Sequence, residues 1–105
     1  MAKFALFSTL TTEGLQSLHH NPERIDDVNR EIEKLGCKVL SQYALLGNPD
    51  FLTVIEASDA VIVAHLAIDI GSRGTVSIST HPIVDVSDLQ KALHTRNHIA
   101  RAGAA

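Results

Sequence analysis

The chain has no tryptophan, a single tyrosine, three phenylalanines and a single cysteine among its 105 residues. With aromatics at 4%, a core must be assembled from Val, Ile, Leu and Ala. Cys37 has no second cysteine to pair with, so an intrachain disulfide is excluded and a reducing, cytoplasmic setting is expected. No apolar run is long enough to span a bilayer. Phe4-Ala5-Leu6-Phe7 is too short for the apolar segment of a secretory signal and soon meets Ser8 and Thr9. Concentrated positive charge is also missing. A formal charge of −3 argues against a nucleic-acid partner, because phosphate binding needs a basic surface. There is no phosphate-cradling glycine loop, since Gly71 and Gly74 are too few and precede a strand. These absences leave a soluble domain spanning residues 1–100, with a frayed tail at 101–105.

What is present is organised around Tyr43–Glu56. Two apolar runs flank Gly47-Asn48-Pro49-Asp50, the pattern of a β-hairpin with turn residues between its strands. Before it, Lys3–Leu10 reads as a strand with apolar residues on both faces, and Thr11-Thr12-Glu13-Gly14 as a break, with at most a short helical turn over Leu15–His20. Asn21 and Pro22 read as the N-cap and first residue of a helix. Its apolar stripe is Ile25, Val28, Ile32 and Leu35, and its terminator is Gly36. Cys37–Leu46 and Phe51–Ala57 are the hairpin strands. Ser58-Asp59 opens a second helix, Ala60 to about Ser72, apolar almost all round and so expected to be buried on more than one side. Thr75–His81 alternates: Val76, Ile78 and Thr80 on one face, Ser77, Ser79 and His81 on the other, as in a half-buried edge strand. A weakly amphipathic helix with Leu89 and Leu93 follows.

The order strand-helix-strand-strand-helix-strand is the split βαβ arrangement of α+β, ferredoxin-like folds, an antiparallel four-stranded sheet with helices on one face. The other face is left open and asks for a partner, most economically a second copy of the chain. The expected partners are therefore the chain itself, as a homodimer or higher oligomer, and a small-molecule ligand, with neither nucleic acid nor membrane.

The residues also resemble the GYD-domain family, over Lys3 to about Ile83. The likeness rests on Thr12-Glu13-Gly14 after the first strand, Pro22-Glu23-Arg24 opening the helix and Leu35-Gly36 closing it. It continues through the Tyr43–Glu56 hairpin, Ala57-Ser58-Asp59 and the Gly74 turn. The resemblance implies a ferredoxin-like fold of the dimeric α/β-barrel type and self-association; it implies no established reaction and no particular cofactor. Pro49 stands where the family pattern usually carries a tyrosine between its Gly and Asp, so any service of that tyrosine to a ligand is missing here.

The candidate ligand-binding residues are Tyr43, Ser77, Ser79 and His81, all expected on the open face. His81 follows a polar strand face and precedes Pro82, so it could serve as a base or ligand contact; the plainer reading is a strand-end histidine at a subunit contact. Adjacent His19 and His20 do not face the same way on a helix. His94 and His98 have metal-sharing spacing but no further ligands, and no metal is expected. His65 and Asp69 read as a solvent-facing pair. Asp50 and Glu56 are separated along their strand by about 20 Å, which excludes paired-carboxylate catalysis within the chain. Two functions remain open: a small oligomeric ligand-binding or assembly module, or a small α/β-barrel enzyme, oxygenase- or isomerase-like, with a pocket between sheet and helices using His81 and Tyr43.

Overall fold

Four strands and four helices follow in the order β-α-α-β-β-α-β-α in a computed structural model that describes the backbone of residues 1–104 and the side chains of residues 1–95. Strand β1 (Ala2–Leu10) lies inside the sheet, where Phe4 and Leu6 are buried on one face while Ala5 and Phe7 take the other. The sequence expectation of a break at Thr11–Gly14 is corrected. These residues open helix α1 (Thr12–His20), whose N-cap Thr11 accepts the Gly14 N–H at 3.1 Å through its Oγ1. The same threonine is tied to the turn before the last strand. Its N–H donates to the Thr75 carbonyl at 3.0 Å and its hydroxyl to the Gly74 carbonyl at 2.9 Å.

Asn21 closes α1 instead of capping the next helix: its N–H donates to the Ser17 carbonyl at 3.0 Å. Helix α2 (Arg24–Lys34) therefore begins two residues later than Pro22 suggests. It ends as expected at Gly36, with φ of 92°. The Gly36 N–H reaches the Glu33 carbonyl at 3.0 Å and the Cys37 N–H reaches that of Ile32 at 3.3 Å, the paired bonds of a Schellman cap. Cys37 and Ile32, which these bonds bring together, are both in the buried core.

Strands β2 (Lys38–Ala44) and β3 (Phe51–Ala57) form the expected hairpin, with an irregularity between Val39 and Ser41. Its loop is closed by the Leu45 N–H on the Asp50 carbonyl at 2.8 Å; Pro49 stands outside the ladder and the Asn48–Pro49 bond is cis. Helix α3 (Ala60–Gly71) starts at Asp59, whose carboxylate accepts the Ile62 N–H at 3.0 Å. Val63, Leu66 and Ile70 bury one side of it. Val61 and Ile68 stay exposed, so the expected burial on more than one side is not seen within a single chain. Strand β4 (Val76–Ile83) runs on through Pro82, which an edge strand tolerates. Helix α4 (Val86–Ala104) follows, with residues 86–95 all exposed. The frayed tail proposed for 101–105 and the side chain of His98 lie outside the side chains described.

The sheet order is β2-β3-β1-β4, antiparallel throughout, as a ferredoxin-like fold requires. Helices α1, α2 and α3 share one face, over a core of Phe4, Leu6, Ile32, Ile55, Leu66 and their neighbours. The barrel expectation fails. β2 and β4 are edge strands with one neighbour each, and closure needs those edges paired and the strands staggered around an axis. The architecture is an open α+β sheet, not an α/β barrel.

Candidate functional site

Register decides which side chains share each face. Across the sheet, Phe7 lies opposite Leu52 and Ser79, Ala5 opposite Val54 and His81, and Tyr43 opposite Leu52. Val76 and Ile78 pack on the helix-side core, so alternation sends Ser77, Ser79 and His81 to the open face. There they meet Phe7 and Thr9 and the Asn48–Pro49 loop in a shallow recess. The Ser79 Oγ is 2.8 Å from the His81 Nε2. The Phe7 and His81 rings meet edge to face, 5.4 Å between centroids at 82°. A serine hydroxyl beside an imidazole is half of a nucleophile–base pair; among the described hydrogen bonds no carboxylate orients the other ring nitrogen.

Tyr43 is not part of that recess. It stands exposed on β2, at the opposite edge from β4, about 14 Å away by three strand spacings. The four candidates therefore share a face, but only three of them converge. Among the other titratable residues, His19, His20, His65, Asp69 and His94 are exposed. Among the described residues no group of three or more His, Cys, Asp or Glu side chains gathers as a metal site. Asp50 has a structural task, accepting the Leu10 N–H at 2.8 Å. The free thiol of Cys37 is buried, and that burial pushes its pKa up.

A second cavity, unforeseen from sequence, lies on the other side of the sheet. It has a volume of about 120 Å³ and sits between the strands and the three packed helices. Neither His81 nor Tyr43 lines it, so a pocket between sheet and helices does not use those residues. Its polar floor comes from two strands and α2. Gln42 Nε2 donates to Thr53 Oγ1 at 2.9 Å and to Asn29 Oδ1 at 3.2 Å, and Gln42 Oε1 accepts from Asn29 Nδ2 at 2.9 Å. These bonds explain how Thr53 can be buried at 4% exposure. Arg24 and Arg73 also line it. Arg73 Nη2 is 2.6 Å from Glu31 Oε2, an ion pair that raises the arginine pKa further. The cavity exists because α1 forms where the sequence suggested a turn. Thr11, a residue type that caps helices, was the available signal.

Residues 4–93 match the family described as GYD domain. Over 90 residues, 85% of this chain and 95% of the relative, the sequence is 46% identical to the glutamine synthetase and cystathionine beta-lyase binding protein of Thermus thermophilus. No solved structure matches significantly.

Proposed function

The chain belongs to the GYD-domain family, and from its likeness to the Thermus relative we propose that it is a non-catalytic binding module that works as a homo-oligomer and docks on a metabolic enzyme. The partner class is the one its Thermus relative is named for, glutamine synthetase or cystathionine beta-lyase. The observation that carries this reading is the 46% identity sustained over 95% of that relative, which leaves little of that relative outside the alignment.

The surface supports self-association through the open sheet face. Phe7, Leu52 and Val54 lie together near its centre, with Lys3, Lys38 and Glu56 in register at one end and Thr9 and Ser77 at the other. In a two-fold pairing the same patch meets itself, so an apolar centre covers an apolar centre and the polar ends form the rim. The exposed stripe of Val61 and Ile68 on α3 stays free in that arrangement for a different partner. No described helix is long and apolar enough to cross a membrane.

The test is co-elution. Glutamine synthetase from the same organism, passed over a size-exclusion column with the purified chain, should carry it into the enzyme peak. Independent elution of the chain from both glutamine synthetase and cystathionine beta-lyase would remove the proposal.

A further inference from the structure

We propose that the cavity between the sheet and helices α1–α3 binds a small organic carboxylate, its apolar body inside and its carboxylate at the mouth between Arg24 and Arg73. The inference does not depend on the enzyme-docking function, since it is argued from the cavity's own lining, which includes neither Val61 nor Ile68.

Size sets the body. A cavity of about 120 Å³ is slightly smaller than the engineered ~150 Å³ apolar cavity that holds benzene, so the buried part of a ligand has about six non-hydrogen atoms. The walls set its polarity. Leu6, Ile32 and Ile70 are buried and Val28 packs beside them, which favours a hydrocarbon body over a hydrated one.

The mouth sets the charge. Arg24 and Arg73 are the exposed cationic side chains of the lining, which includes no aspartate or glutamate. Each guanidinium has five N–H donors. Arg73 gives its Nη2 to Glu31, and Arg24 lies 3.7 Å from Asp27, a carboxylate that Arg30 also engages. Both arginines thus keep donors for a further anion, and a planar carboxylate suits that fork. At the floor, Thr53 Oγ1 accepts from Gln42, which leaves its own hydroxyl proton available to a polar substituent on the ligand. A multiply charged phosphate would pay heavy desolvation against the apolar walls, and a neutral hydrocarbon would leave the guanidiniums unused.

Benzoate has the required shape, and benzyl alcohol is its neutral match. Two-dimensional amide NMR of the full chain titrated with benzoate should show saturable shifts at Leu6, Val28, Ile32 and Ile70, with a Kd of about 1 mM or tighter. Benzyl alcohol should bind at least about tenfold more weakly. Val28→Phe should fill the cavity and abolish the benzoate shifts. Arg24→Gln, an exposed change that keeps the fold, should weaken benzoate by about tenfold and leave benzyl alcohol unchanged; it decides the matter if Val28→Phe does not fold. The absence of saturable shifts up to about 20 mM benzoate overturns the site. Equal binding of benzoate and benzyl alcohol, or an Arg24→Gln variant that binds benzoate like the parent, overturns the anion assignment.

Discussion

The carboxylate of Asp50 accepts a hydrogen bond from the backbone N–H of Leu10 at 2.8 Å, fastening the hairpin loop to the far end of the central strand β1. Two neighbouring bonds reinforce the seam: the Asp50 N–H donates to the Ser8 carbonyl at 2.9 Å and the Thr9 hydroxyl to Asn48 Oδ1 at 3.2 Å. The hairpin loop is thus held against the recess edge by β1, and Asp50 is its anchor. Asp50→Ala leaves the half-buried Leu10 N–H without its charged acceptor. Urea unfolding should show a loss of about 1.5–3 kcal/mol, with Asp50→Asn milder because its amide oxygen still accepts. An unchanged midpoint in Asp50→Ala would mean that the seam holds without the carboxylate.

Gly14 inverts an ordinary rule. Replacing a helical glycine by alanine normally stabilises by roughly 0.5–1 kcal/mol. Here the new Cβ would lie 2.0 Å from the Thr75 carbonyl oxygen, a backbone atom that cannot swing aside. Gly14→Ala should therefore lower the melting temperature, by the equivalent of about 1–3 kcal/mol. A stabilised variant would show that α1 does not rest against Thr75.

Cys37 makes stability depend on pH in the alkaline range. Burial raises its pKa in the folded chain above the ordinary 9.0. The unfolded chain therefore releases the thiol proton first, and its contribution is intact below pH 9.0 and lost as pH climbs towards the folded value. Denaturation midpoints should fall across that window. Cys37→Ala should be less stable overall but lack this part of the slope. Lys3, whose pKa is raised chiefly by its hydrogen bond to Asp85, adds a loss only above its ordinary 10.5, so the two windows begin apart.

Val54 sits on the open face opposite Ala5 and Ser41, away from the helix-side core. Light scattering at micromolar concentration should give at least a dimer for the parent chain. Val54→Lys should give the 11.3 kDa monomer with an unchanged circular dichroism spectrum, because a lysine there costs the interface and not the core. A monomeric parent would remove the sheet face as a self-association surface.

The chain's pattern made the Tyr43–Glu56 hairpin, the two-faced first strand, the Gly36 terminator and the Asp59 cap legible, because each follows from local spacing or capping chemistry. The open-face placement of Ser77, Ser79 and His81 was legible by parity from Val76 and Ile78. Three things were not. Thr11–Gly14 resembles a turn because Gly14 is there for its close approach to Thr75, a contact some 60 residues distant in sequence. The cavity was hidden with it, since α1 supplies one wall. Barrel closure is a property of edge pairing, which alternation along a strand does not encode. The exposure of Val61 and Ile68 follows the same logic: apolarity predicts that a residue seeks cover, not that the same chain supplies it.

The central claim is that this chain binds an enzyme of the class named in its relative. Sedimentation velocity of the purified chain mixed with glutamine synthetase from the same organism tests it most directly, in parallel with cystathionine beta-lyase. The account predicts that the chain's own boundary shrinks while the enzyme boundary gains mass and saturates at a fixed stoichiometry. Two unchanged boundaries with both enzymes, at concentrations where the chain is folded and oligomeric, would contradict it.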